Sequence, residues 1–277
     1  MEQPLVSIVV ITYNSAKTVA ETLDSAKNQT YKNIELIVSD DCSTDETVEI
    51  CRNWIAENKD RFVRTELITV EKNTGIPGNL NRAYEKTNGE WIKGLAGDDI
   101  FLSNCIEDNV SFVSENPKVN ILFSLARCFS VKNGECIENG VIPASEYIPI
   151  FNKSANEQLI QLYRGCFVPA PTLFINRKFA LNNPYDENYK YMEDYPMWVK
   201  LTKDGNKLYF MNKMTIAYRL SNSVSRNQKA LYNILFMETL YAFRDSIREQ
   251  TLKYHPKIVK QQDFERKLFF IYTTLYY

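Results

Sequence analysis

Three of the chain's six pairs of adjacent acids stand where they could do chemistry: Asp40-Asp41, Asp98-Asp99 and Glu193-Asp194. Neighbouring carboxylates repel unless something positive lies beside them. A hard divalent cation answers that need, because Mg²⁺ and Mn²⁺ favour carboxylate and phosphate oxygens and join one to the other. Asp98-Asp99 therefore reads as a metal-binding pair, with a solvated turn or a helix cap as the plainer alternative. Asp40-Asp41 can accept hydrogen bonds from a base N–H or a ribose hydroxyl, or can cap the helix that follows. Glu193-Asp194 precedes an aromatic segment with Tyr195 and Trp198. A carboxylate there can take a proton from a hydroxyl, or can simply enrich a helix N-terminus in negative charge.

The pairs fall where elements end. Residues 6–12 (VSIVVIT) are a nearly unbroken β-branched run, the pattern of a strand buried on both faces. Asn14 or Ser15 can cap a helix through Val19, Leu23 and Ala26. A second strand at 34–38 runs into Ser39-Asp40-Asp41. Ser43-Thr44-Asp45-Glu46 then has the form of a capping box and opens a helix through Val48, Cys51 and Ile55. A third strand at 66–70, a helix with Leu80, Ala83 and Tyr84 that Gly89 ends, and a fourth strand at 90–96 complete the series. This alternation predicts a mostly parallel sheet flanked by helices, and such sheets bind ligands beyond the carboxyl ends of their strands. Thr12-Tyr13-Asn14, Asp40-Asp41 and Gly97-Asp98-Asp99 all fall on that rim.

After Asp99 the pattern loosens. It predicts a helix capped by Ser103 through Val113, a strand at 119–131, a loop over 132–153 and a helix over 154–164. A strand at 171–175, a helix over 192–202, two short strands at 207–211 and 215–220, and helix from about 229 onward follow.

Composition narrows the function. The net charge is −1, and no basic patch precedes residue 240, which argues against nucleic acid as a partner. The six cysteines form no CxxC pair and no His/Cys cluster, so they read as idle thiols of a reducing compartment. The opening Met-Glu-Gln-Pro carries no signal-like region, and no run reaches the roughly 20 apolar residues of a membrane span. A cytoplasmic location, at most at the inner face of a membrane, is the expectation.

In combination and order these segments resemble family 2 of the inverting glycosyltransferases, which have the GT-A, Rossmann-like fold. The resemblance runs over about residues 4–228. VSIVVITYNSAKTVAETLDSAKNQTYKNIELIVSDDCSTDET is similar to the family's nucleotide-binding half, NTGIPGNLNRAYEKTNGEWIKGLAGDD to its approach to the metal motif, and PAPTLFINRKFA, YMEDYPMWVKL and AYRLSNSVS to its acceptor-side segments. The resemblance implies a catalytic domain at 1–228, divided near residue 100 into nucleotide-binding and acceptor-side halves, with a helical extension at 229–277. It implies that Thr12, Tyr13, Asn14, Asp40 and Asp41 hold the nucleoside, that Asn81 and Arg82 approach the donor, and that Gly97 and Asp98 meet it. Asp98 and Asp99 would bind Mn²⁺ or Mg²⁺, Arg219 would lie near the diphosphate, and Asp194 would be the base. The partners implied are a nucleotide sugar, with a uridine diphosphate carrier foremost, and a glycan or lipid-linked glycan acceptor; the activity implied is transfer of a hexose or N-acetylhexosamine.

Two departures from the family pattern matter. The first position of the usual Asp-x-Asp motif is Ala96, and the histidine that often follows the Tyr-Arg pair is replaced by Leu220-Ser221-Asn222. They keep open a non-catalytic nucleotide-sugar-binding module of the same fold. The one histidine, His255, lies outside the resemblance and reads as a surface or packing residue. Residues 244–267 hold seven basic side chains against four acidic ones, and LFFIYTTLYY closes the chain. That segment can lie on a membrane surface, pack back on the catalytic domain, or form a seam between copies.

Overall fold

The computed structural model describes residues 3–220 and 233–276. β1 (Val6–Thr12), β2 (Ile34–Asp40), β3 (Thr65–Thr69) and β4 (Trp91–Ala96) form a parallel block in the order β3-β2-β1-β4. Their connections are α1 (Val19–Lys27), α2 (Thr47–Asn58) and α3 (Gly75–Glu85). Both faces of the block are covered, as the β-branched runs require. Val9, Ile37 and Ile92 face one core with Leu80 and Tyr84 of α3, while Ile8, Val10, Leu36 and Val38 face another with Leu23 of α1 and Trp54 of α2. Register sets the rim: Thr12 lies opposite Asp40 and Ile11 opposite Ala96, so three strands end level with one another.

Several local expectations are corrected here. Helix α1 begins after Thr18, while the Ser15 carbonyl accepts the Thr18 and Val19 N–H groups. No capping box opens α2, because Ser43 is engaged elsewhere: its hydroxyl donates to Asp40 and accepts the Asn14 N–H. Gly89 does not end α3, whose last turn closes at Lys86. It serves close packing instead, since a Cβ there would come within 2.8 Å of the Leu5 carbonyl. Its N–H donates to the Ser7 hydroxyl and to the buried Glu35 carboxylate.

The second half continues the sheet with mixed direction. It comprises β5 (Ile100–Phe101), α4 (Cys105–Glu115), β6 (Ile121–Lys132), β7 (Glu135–Ile142), α5 (Ala155–Arg164), β8 (Phe174–Asn176), α6 (Arg177–Asn182), α7 (Asp194–Lys203) and β9 (Tyr209–Arg219). β8 lies antiparallel between β4 and β6, β9 runs parallel to β6, and β5 pairs antiparallel with β9 at the edge. The stretch 132–153 is not a loop. Asn133 and Gly134 both adopt positive φ (54° and 83°), the requirement of a tight hairpin turn, and join β6 to β7. The two short strands expected at 207–220 are one long strand, with register shifts against β6 around Leu125.

Beyond residue 232 the chain is helical: α8 (Ile234–Ser246), α9 (Arg248–Tyr254) and α10 (Pro256–Tyr276). Phe243 of α8 meets Tyr195 of α7 edge-on, with ring centres 4.8 Å apart. In α9 the Thr251 hydroxyl donates to the Tyr163 carbonyl, and just after it His255 Nε2 lies 2.6 Å from the Ile160 carbonyl, so His255 is a packing residue. The expectations for Ser221, Asn222 and the helix start at 229–232 lie outside the described residues. Among those described, no helix is long and apolar enough to cross a membrane.

Candidate active site

The level ends of β1 and β4 open into a cavity of about 730 Å³. Its other walls come from the start of α3, the segment 165–173, the N-terminus of α7, the end of β9 and the inner face of α8. Thr12, Tyr13, Asp41, Gly97, Asp98, Asp99, Asp194 and Arg219 all line it. So do residues that sequence reasoning missed, among them Asn73, Asn79, Lys190, Trp198 and Arg244. Asn79 was findable, since it lies one helical turn before Arg82 on α3. Arg244 was not, because nothing in the sequence ties α8 to this wall.

Asn14, Asp40, Asn81 and Arg82 are not on the cavity wall. Asp40 is fully buried and accepts the Thr12 hydroxyl at 2.8 Å, the Ser43 N–H and the Ser43 hydroxyl, so it fastens the ends of β1 and β2 together. Asn14 has φ of 51° and accepts the Thr44 N–H, bracing the loop before α2. Asn81 points to the neighbouring segment, exchanging hydrogen bonds with the Tyr185 backbone. Arg82 reaches the cavity only through others: it holds Asp41 Oδ1 at 3.1 Å, along with Thr74 and Asn79. Asp41 in turn accepts the Thr74 and Gly75 N–H groups. A carboxylate just past β2 thus satisfies the opening amides of α3, a cap supplied from outside the helix.

Gly97 is fixed by space, because a Cβ there would lie 2.9 Å from the Thr12 methyl. Asp98 and Asp99 diverge. Asp99 is 2% exposed, and its Oδ1 accepts the Arg219 N–H at 2.8 Å. Among the described residues, only its own backbone N–H donates to the Asp98 carboxylate, which lines the cavity. Burial raises both carboxyls, Asp99 well above the usual range with the Asp98 charge adding to it; the Arg219 charge opposes the rise in each. Arg219 is itself immobilised. Its Nε donates to the Asp98 carbonyl at 2.7 Å, Glu21 holds the outer end, and the guanidinium stacks over Phe129 at 4.6 Å. Behind them lies the fully buried Lys93, its ammonium donating to the Pro171 and Leu173 carbonyls at 3.1 and 3.0 Å; burial lowers its pKa to about 8. Asp98 suits a hard cation, while Asp99 is occupied by β9. Among the described residues, no group of three or more His, Cys, Asp or Glu gathers to complete a metal cage.

Across the cavity, Glu193 and Asp194 open α7. Burial, reinforced by the Asp194 charge, pushes Glu193 up to about 8, and burial raises Asp194 as well. Nearby on the wall, the buried Trp198 indole N–H has no partner among the described residues. The Glu193 shift predicts a slope of stability with pH. The unfolded chain loses that proton near 4.5, whereas the folded chain keeps it to about 8. Stability from this group is present below 4.5 and lost as pH rises to about 8. Glu193→Gln should therefore flatten the fall in Tm across that window, with a Tm above wild type at its alkaline end. A wild-type slope in the variant would show that Glu193 ionises normally.

Comparison with known proteins agrees with the geometry. The family model described as glycosyl transferase family 2 matches residues 7–182, and the chain belongs to that family. One relative is an Escherichia coli protein named UDP-Glc:alpha-D-GlcNAc-diphosphoundecaprenol beta-1,3-glucosyltransferase WfgD. It is 32% identical over 231 residues, 82% of each chain. The solved structure of S. aureus TarS in complex with UDP-GlcNAc matches with a TM-score of 0.62 at 21% identity, covering 86% of this chain and 65% of that one. Mannosyltransferase PcManGT from Pyrobaculum calidifontis, in complex with GDP-Man and Mn²⁺, matches with a TM-score of 0.63 at 18% identity over 95% of this chain and 70% of that one. The fold is GT-A.

Proposed function

We propose that this chain transfers a sugar from a nucleoside diphosphate sugar, a uridine diphosphate sugar foremost, to a hydroxyl of a lipid-linked or surface-polysaccharide intermediate, with inversion at the anomeric carbon. The observation that carries the reading is that one cavity presents the open Asp98 carboxylate and the clamped Arg219 on one wall and the Asp194 carboxyl on another. The uridine carrier and lipid-linked acceptor are supported by WfgD, whose name states both.

In this reading Thr12, Tyr13 and Asp41 receive the nucleoside, with Asp40, Asn14 and Arg82 holding those residues in place. Arg219 offers a fixed guanidinium to diphosphate oxygens. Mn²⁺ or Mg²⁺ on Asp98, when bound, supplies Lewis-acid stabilisation of the departing nucleoside diphosphate. Asp99 keeps the end of β9, and with it Arg219, against that wall. Asp194 takes the acceptor hydroxyl's proton as its oxygen attacks the anomeric carbon. The bond to the diphosphate breaks with its electron pair on the leaving oxygen, through a centre of oxocarbenium character. One displacement from the opposite face inverts the configuration.

A ligand that binds only the folded chain raises Tm. A melting panel of uridine, guanosine and thymidine diphosphate sugars, each with Mn²⁺, Mg²⁺ or chelator, should show one carrier stabilising the chain in a metal-dependent way. No shift with any carrier would overturn the proposal. A shift without sugar transfer or hydrolysis would favour the non-catalytic module.

A further inference from the structure

We propose that the outward face of α10 is a docking surface for an anionic lipid bilayer, on which the protein rests with its catalytic domain in water. At about 100° per residue, Lys257, Lys260, Phe264, Lys267, Leu268 and Ile271 fall in one stripe about 100° wide. Phe264, Leu268 and Ile271 are 61%, 44% and 56% exposed, large apolar side chains on a face that nothing among the described residues covers. Every charge in the stripe is a lysine, and none of the three forms an ion pair among the described residues.

The acids of α10 are engaged on its other sides. Asp263 is held by Arg248 at 2.7 and 2.9 Å, and Glu265 by Arg244 at 3.2 Å. Arg266 turns the same way, to Asp245 at 2.9 Å. Charge is thus divided around the helix: the acids pair with arginines along its half-exposed flanks, where Asp263 also feels the charge of Lys267, while the lysines and the exposed apolar groups share the outward stripe. That is the chemistry of a helix lying in the headgroup layer, its apolar side chains entering the acyl boundary and its lysine stems reaching back to lipid phosphates. A second copy of the chain fits less well. A two-fold pairing of this face sets lysines against lysines, with no acid in the stripe to answer them.

The surface is coupled to the cavity through one helix. α10 packs on α8 through Phe269 and Tyr241, ring centres 5.4 Å apart, and through the Arg244 and Arg266 ion pairs. The inner face of α8 supplies Phe236, Leu240 and Arg244 to the cavity wall. Docking would hold that wall at the lipid surface. The inference stands apart from the proposed reaction, because bilayer binding requires neither donor nor metal.

The test is co-sedimentation of the whole chain with vesicles of phosphatidylcholine and phosphatidylglycerol, three to one, against phosphatidylcholine alone. The expected result is pelleting with the mixed vesicles at low salt, release at high salt as charges are screened, and little pelleting with phosphatidylcholine. Lys260→Glu/Lys267→Glu and Phe264→Ser/Leu268→Ser should each lower partitioning ~10-fold or more, with Tm and nucleotide-dependent stabilisation unchanged. If the apolar double variant unfolds, the charge-reversal variant alone decides. No pelleting at low salt, or undiminished pelleting by the charge-reversal variant, overturns the proposal. So does a dimer in analytical ultracentrifugation that Phe264→Ser/Leu268→Ser dissociates while vesicles fail to bind.

Discussion

Asp194→Asn should lower sugar transfer by roughly 10²–10⁴-fold, the range over which a positioned general base acts, and leave metal-dependent nucleotide binding intact. The amide keeps the shape of the carboxyl at the start of α7 but cannot take a proton. Because burial raises Asp194, the acid limb of the wild-type pH–rate profile should lie above the ordinary carboxylate range, and the residual rate of the variant should lack that limb. Nucleotide-induced shifts in Tm separate a lost base from a lost fold. Transfer at the wild-type rate would remove Asp194 from the mechanism.

The second large effect separates two neighbours. Asp98→Asn keeps an oxygen at the cavity but discards its charge, so the extra stabilisation that Mn²⁺ gives the nucleotide complex should vanish. Transfer should fall by about 10²–10³-fold, as when one preorganised electrostatic contact is lost. Asp99→Ala should act mainly on stability. It leaves the buried Arg219 N–H without its acceptor, a cost of about 1–3 kcal/mol, while the metal dependence of the melt survives. The reverse pattern, with metal dependence lost in Asp99→Ala and kept in Asp98→Asn, would exchange the two roles.

The parallel block was legible because its information is local. Unbroken β-branched runs, helical spacing and the acidic pairs at the ends of two of the four strands all lie within a few residues of what they specify. Contacts between distant segments were not legible. Ser43 has the sequence of a capping box, yet Asp40 and Asn14 capture it. Asp41 reads as a free carboxylate, yet it serves the amides of Thr74 and Gly75, more than thirty residues on. The β6–β7 hairpin was missed for a different reason. Asn133-Gly134 was read as a loop breaker, whereas Asn-Gly is the dipeptide a two-residue hairpin turn favours. For the site, residue types at strand ends pointed to the rim that opens into the cavity, and the different surroundings of Asp98 and Asp99 needed the position of β9.

The bond between Asp99 and Arg219 spans 120 positions of chain. At about 5–20 residues per second, a ribosome adds residue 219 roughly 6–24 s after residue 99. Throughout that interval the nascent parallel block can form its strands, but the cavity wall that Arg219 completes lacks its last strand end. A stalled or truncated product ending before β9 would therefore carry a nucleoside-shaped rim that cannot grip a leaving group. On the proposed mechanism, synthesis itself would keep the chain inert until the second half of the sheet has joined the first.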